Sequence, residues 1–291
     1  GRPERAAAHA KVATGQLYLE QAQALERPNA PQATKHAQSA VKAFEGIEEA
    51  KDSLLTAQAL LRRLDQSSGA PEGMAVMDYR KLRLGGGAGD RNSPRTVEIQ
   101  AFYIGLREVT NEDYLPFYRD QQAAKQLGLP QGWIDGQPRP GTEGLPVTGV
   151  TYQEAQLYAQ ALGMRLPTDA EWEYAARFVS SSAGGLRPFP QEAYPWGAEW
   201  DPDALAETLL PPGSRPRDMN ERRVFDLAGN VSEWVTVREK GQEDQAAARG
   251  ASYLYPFKRI ARAGHRLKPR PDYRGPQLGF RLAKSAPGGT K

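Results

Sequence analysis

The chain changes character at Gly73, and that break constrains its fold more than any single motif. Upstream, Ala8, Val12, Leu19, Ala22 and Leu25 recur near the 3.6-residue period of a helix until Arg27-Pro28-Asn29-Ala30-Pro31 interrupts them. A second run carries Val41, Phe44, Ile47, Leu54, Leu55, Leu61 and Leu64 among Glu, Lys, Gln and Arg. The two runs predict an antiparallel helical hairpin or stalk over residues 1–65, packed on itself or on a partner. A Ser/Gly/Pro-rich linker follows at 66–73. From residue 74 to 291 the apolar runs are short and broken by turns, and the chain's 29 glycines and 23 prolines predict a loop-rich α+β domain with short strands.

Within that second region Met74–Met77 and Thr96–Ile99 are candidate strands, with Gly85-Gly86-Gly87 as a turn between them. No Lys-Ser/Thr follows the glycines, so they are no phosphate cradle. Thr110 opens one helix as N-cap with acids in the first turn, and Thr151 and Thr168 open two more, each with a Glu three residues on (Glu154 and Glu171), the pattern of a capping box. Those acids serve helix starts and helix dipoles before any catalytic role. Residues 180–220, irregular and rich in Gly and Pro, predict a long surface loop.

The charge balance, 38 Lys+Arg against 35 Asp+Glu, lacks the basic stripe that nucleic acid requires. No run of 18 apolar residues is present to span a membrane. The chain begins at Gly1 rather than Met, so the expectation is that any signal peptide or anchor has been removed or lies outside it. Its cysteine count is 0, which excludes disulfides, thiolate metal sites and a cysteine nucleophile together.

Several segments carry a resemblance in order. They are Glu108-Val109-Thr110-Asn111 with Tyr114; Pro146-Val147 with Val150, Tyr152 and Ala155; Arg165-Leu166-Pro167-Thr168-Asp169-Ala170-Glu171-Trp172-Glu173-Tyr174-Ala175-Ala176-Arg177; and Tyr194-Pro195-Trp196-Gly197. Phe225-Asp226-Leu227-Ala228-Gly229-Asn230-Val231-Ser232-Glu233-Trp234, Arg249-Gly250-Ala251-Ser252-Tyr253 and Leu278-Gly279-Phe280-Arg281-Leu282 complete the set. Over about residues 72–284 the chain resembles the formylglycine-generating, or sulfatase-modifying factor, family. The resemblance implies a variant of the C-type lectin fold, in which Trp172, Trp196 and Trp234 are mainly core residues whose indole N–H groups need partners.

The departures from the family decide the expected function. Its oxidases use two cysteines that bind copper and attack the substrate; those positions fall here on Tyr255 and Ile260, which supply no thiolate. Neither copper nor haem is expected, and no catalytic residue is assigned. Its iron-dependent sulfoxide synthases hold the metal with three histidines, whereas His9, His36 and His265 lie in separate contexts with no His-x-x-x-His pair. The resemblance also implies a calcium site from the side chains of Asp226 and Glu233 with the backbone at Leu227, Gly229 and Val231, which is hard-cation chemistry. On the plain reading, Asp226 caps the turn and Glu233 pairs with an arginine. The family's other calcium site has no matching element at Asp203–Glu207.

A groove lined by Ser252, Tyr255, Ile260, Arg262 and His265 is the expected partner-binding surface. Arg259, Arg262, Arg266, Arg270 and Arg274 are then either anion-binding or structural. These features favour a non-catalytic protein-binding or regulatory scaffold. Cysteine-free relatives with a helical N-terminal region resemble periplasmic accessory proteins of bacterial envelope signalling, including kinase signalling in type VI secretion. The expectation is therefore a periplasmic or secreted protein whose partner is another protein, such as a membrane kinase or sensor. Two other readings stay open: an enzyme acting on a peptide or siderophore with Tyr255 as acid/base group, and calcium-dependent, lectin-like ligand binding.

Overall fold

The computed structural model describes residues 2–25, 30–47, 50–67, 70–85, 94–122, 127–180, 186–188, 194–220, 222–238 and 244–286. Two compact units emerge, one of residues 1–72 with 180–185 and one of residues 73–179 with 186–291. In the first, α1 (Arg2–Leu25), α2 (Ala30–Phe44) and α3 (Lys51–Ser67) bury Leu19, Ala22, Ala37, Ala40, Phe44, Ala57 and Leu60 together. A Cβ on Gly15 would meet the Phe44 ring at 2.5 Å, so glycine lets α1 and α2 approach closely. The single second run expected from the sequence is two helices. After α2, Gly46 takes φ +76°, the left-handed conformation that stops helices, so the expected hairpin is a three-helix unit.

Among the described residues the second unit holds α4 (Asn111–Gln122), α5 (Tyr152–Ala161) and α6 (Asp169–Arg177) with thirteen short strands. In chain order these are β1 (Met74–Met77), β2 (Arg80–Leu84), β3 (Arg95–Ile99), β4 (Phe102–Gly105), β5 (Trp133–Ile134) and β6 (Gln137–Pro138). Then come β7 (Phe178–Ser180), β8 (Leu186–Pro188), β9 (Ser232–Val237), β10 (Gln245–Arg249), β11 (Arg266–Leu267), β12 (Leu278–Gly279) and β13 (Ala283–Ser285). The strands form a three-stranded sheet β1-β4-β13, a four-stranded sheet β11-β10-β9-β12 and three ribbons, β2-β3, β5-β6 and β7-β8. This is the α+β, loop-rich class expected.

The candidate strand at Thr96–Ile99 pairs with Arg80–Leu84, which the sequence reading passed over, while Met74–Met77 pairs with β4. Charges at Arg80, Lys81 and Arg83 disguised a strand whose apolar positions alternate. Gly86 and Gly87 of the expected turn lie outside the described residues. All three threonine starts close as boxes; at Thr151 the side chain accepts from the Glu154 N–H while Glu154 accepts from the Thr151 N–H. The expected 180–220 surface loop is in part core, for Tyr194 and Leu205 are buried with Ala228, Ala251 and Ala261.

Strand β9 is buried along its whole length and separates two cores. Val235 and Val237 face the one containing Trp172 and Phe102; Trp234 faces the one containing Tyr114, Tyr152 and Phe280. The three tryptophan N–H groups find acceptors: Trp172 on Glu233, Trp234 on the Val150 carbonyl and Trp196 on the Glu199 carbonyl.

Beside this strand Arg249 is fully buried. It donates to Asp169 at 2.7 Å, to Glu173 at 2.9 Å, and to the carbonyls of Ala263 and His265 at 3.1 Å each. Glu173 also holds Arg177, and Asp169 holds Arg95 and Arg266. Arg249→Ala would take a buried partner from each of two carboxylates that keep other arginines, and should lower stability in urea unfolding by up to about 3 kcal/mol. Arg270→Ala, which removes an exposed pair with Asp272, leaves the urea midpoint unchanged.

Candidate functional site

The turn leading into β9 is built around charge. Asp226 and Asn230 both take φ 56°, and the turn is pinned by bonds from the Asp226 N–H to the Asp218 carbonyl and from the Ala228 N–H to the Asp218 carboxylate. Below it Arg281, 0% exposed, donates to both oxygens of Glu233 at 2.6 and 2.5 Å and to the carbonyls of Gly105 and Phe225. Trp172 adds a third donor to Glu233 at 2.7 Å.

Glu108, Asp218 and Asp226 are buried in the same region. One oxygen of Glu108 accepts from Asn230 at 3.1 Å; the other is buried with no hydrogen-bond donor, and the Glu108 carboxyl contacts that of Asp226. Burial first, and then the charge of Asp226, push the Glu108 and Asp218 carboxyls well above the ordinary range. Burial also raises Asp226, against the opposing Gly213 N–H and Arg281.

Two carboxyls in contact with no donor between them require a proton or a cation. Such a donor set fits a hard cation such as calcium; Asp226 belongs to the set expected from the sequence, and Glu108 lay outside it. Glu233 does not fit the expected role, because Arg281 and Trp172 occupy its oxygens. The Ala228 and Asn230 carbonyls accept from Ala251 and Tyr253, and the carbonyls of Leu227, Gly229 and Val231 stand outside those two bonds. Among the described residues no three acidic or imidazole side chains converge as a metal cluster, so a cation here would draw on two carboxylates plus backbone oxygen.

Of the five residues expected to line a groove, Tyr255, Ile260 and His265 border depressions of the surface, and Ser252 and Arg262 do not. Tyr255 and Ile260 border an open, mainly apolar depression of about 320 Å³ with Leu267, Lys268, Tyr273 and Leu278. Ile260, Leu267 and Lys268 continue into a second depression of about 460 Å³ that His265 also lines. Ser252 lies beneath rather than in the groove: it is buried, and its hydroxyl has no hydrogen-bond partner. Arg262 borders neither depression. Of the clustered arginines, Arg266, Arg270 and Arg274 pair with Asp169, Asp272 and Glu154, so the structural reading holds for these three.

Sequence reasoning missed Leu267, Lys268 and Tyr273, which reach the groove only through the path of the 254–278 segment. It also missed Glu108 and Asp218 as neighbours of Asp226. Glu108 did stand inside a matched motif, and its burial beside another acid was the signal.

Stability should track these acids. Carboxyls with raised folded-state pKa values contribute fully below their unfolded values, and that contribution is lost as pH rises through the folded values. In calcium-free buffer the melting temperature should fall as pH climbs above the ordinary carboxylate range, and Glu108→Gln should flatten the fall. Asp169 acts with the opposite sign. Burial would raise it, but Arg249, Arg266 and Arg95 hold it below the ordinary range, so its stabilisation is lost on acidification. A pH series of melting curves should show a maximum between these limits; a monotonic rise with pH would contradict the buried-acid assignment.

Comparison with known proteins agrees with this architecture. The sequence profile of the sulfatase-modifying factor enzyme 1-like domain matches residues 56–286. The chain is 26% identical to the inactive C-alpha-formylglycine-generating enzyme 2 of Bos taurus, covering 80% of this chain and 95% of that protein. It is 29% identical to the serine/threonine-protein kinase pkn1 of Chlamydia caviae, over 72% of this chain and 38% of that one. Against the formylglycine-generating enzyme of Streptomyces coelicolor, identity is 33% over 48% of this chain and 53% of the enzyme. The solved structure of PvdO from Pseudomonas aeruginosa superposes with a TM-score of 0.54 at 22% identity, covering 73% of this chain and 94% of that one, and so shares the fold. The chain belongs to the sulfatase-modifying factor family.

Proposed function

We propose that this protein is a non-catalytic docking or regulatory member of its family, which uses the groove beside Tyr255 and Ile260 to hold another protein. The observation that carries the reading is the side chains at those two positions. Where the family's oxidases place two thiols, this chain places a ring 48% exposed and an isoleucine that borders an apolar depression. A thiolate for copper or disulfide exchange is absent from the whole sequence. The similarity to an inactive relative supports the loss of oxidase chemistry, and the similarity to a kinase-named protein supports a place in signalling, with a kinase or sensor as partner. The reading extends to bacterial envelope signalling or secretion.

In this proposal calcium is structural. Asp226 and Glu108 would hold it with backbone oxygen from the Leu227–Val231 turn, and it would supply counter-charge, with no role in a reaction. Calcium at about 100 times its dissociation constant adds about 2.7 kcal/mol to the native state. The melting temperature should therefore rise with calcium and fall with chelator. Asp226→Asn should abolish that response, whereas Glu233→Gln should lower stability yet keep it. No calcium shift in the unaltered protein would remove the ion from the proposal.

Docking is tested separately by Tyr255→Ala and Ile260→Ala. Both should release a partner captured by the unaltered chain, with no turnover of candidate peptides by any form. Turnover lost in Tyr255→Ala with capture intact would favour the enzyme reading instead.

A further inference from the structure

The groove reads as one track rather than a single hollow. Its two depressions share Ile260, Leu267 and Lys268, and a third, of about 450 Å³, shares Pro269 and Tyr273 with the smaller one. Strand β11, which contributes Leu267, is an edge strand of its sheet and, among the described residues, pairs with β10 alone. A sheet edge beside side-chain hollows suits an extended chain, whose alternate residues enter the hollows.

The charge along this track is one-sided. From Leu254 to Arg274 the sequence carries seven basic residues (Lys258, Arg259, Arg262, Arg266, Lys268, Arg270, Arg274) and one acid, Asp272. Internal carboxylates neutralise Arg266, Arg270 and Arg274. Lys258 and Lys268 are exposed and make no ion pair with any of the described residues. Lys268 stands where two depressions meet, and the exposed rings of Tyr255, Phe257 and Tyr273 flank the track.

Resting on the docking reading above, we propose that the occupant is an extended acidic segment of a partner protein carrying an aromatic or branched aliphatic residue. The apolar side chain fills the depression lined by Ile260, Leu267 and Leu278, while the flanking carboxylates lie toward Lys268 and Lys258. Apolar burial supplies the affinity. The charges select the sign of the partner and speed encounter, so binding weakens with salt.

The test is selection of random ten-residue peptides displayed on phage against the full chain, followed by sequencing. The expected pool is rich in Asp and Glu around Phe, Tyr, Trp, Leu or Ile. Its binding should fall about tenfold or more in Lys268→Glu and in Tyr255→Ala. Lys284→Glu, a charge reversal on β13, should leave it unchanged. Circular dichroism of each variant separates lost binding from lost fold, and Tyr255, being exposed, tests the track without disturbing the core.

A pool that depends on Tyr255 but carries no acidic bias would overturn the acidic occupant and leave the docking groove standing. A pool insensitive to both groove variants would overturn both. Displacement of the acidic pool by single-stranded DNA of the same length would show a site for polyanions at large, and would also overturn the proposal.

Discussion

The pair between Arg281 and Glu233 is the contact on which the rest of the second unit depends. One guanidinium joins the first turn of β9, the loop at Phe225 and the end of β4, and Trp172 closes on the same carboxylate from α6. A buried ion pair of this kind adds little net stability over an apolar replacement, but loss of one partner is costly. Its effect is therefore on register: with Glu233 held to Arg281, Val235 and Val237 must face one core and Trp234 the other. The same commitment leaves Glu108 and Asp226 without an arginine hydrogen bond among the described residues, although the charge of Arg281 still acts on both.

The molecule separates two uses of charge. Charges beneath the surface, such as Arg249 with Asp169 and Glu173, or Arg281 with Glu233, join elements far apart in sequence and are spent on that task. Lys268, by contrast, is exposed and borders two of the depressions. A count of basic residues along 254–274 overstates the field there, because part of the positive charge is cancelled from within.

Much of the frame was legible in the sequence because its signals are local. The threonine caps, the apolar period of the N-terminal helices and the motif around Trp234 each act over a few residues. What was not legible depends on contacts far apart in sequence. Strand β2 was hidden because charged residues alternate with its leucines, and the pairing of α2 and α3 turned on the backbone of Gly46. The expected calcium set was read from one segment, whereas Arg281 and Trp172 occupy the oxygens of Glu233, and Glu108, far away in sequence, lies beside Asp226. Ser252 was placed in the groove by its position in a motif, whereas its burial is set by the chain packed above it.

The grip of Arg249 on the segment beneath the groove has a consequence for how such proteins diverge. It holds that segment through the carbonyl oxygens of Ala263 and His265, atoms every amino acid possesses. The path of the loop is thus fixed without reference to the side chains it displays. Substitutions along its outer face can accumulate with little penalty to folding, so relatives on this frame are free to exchange one recognition surface for another while the architecture persists.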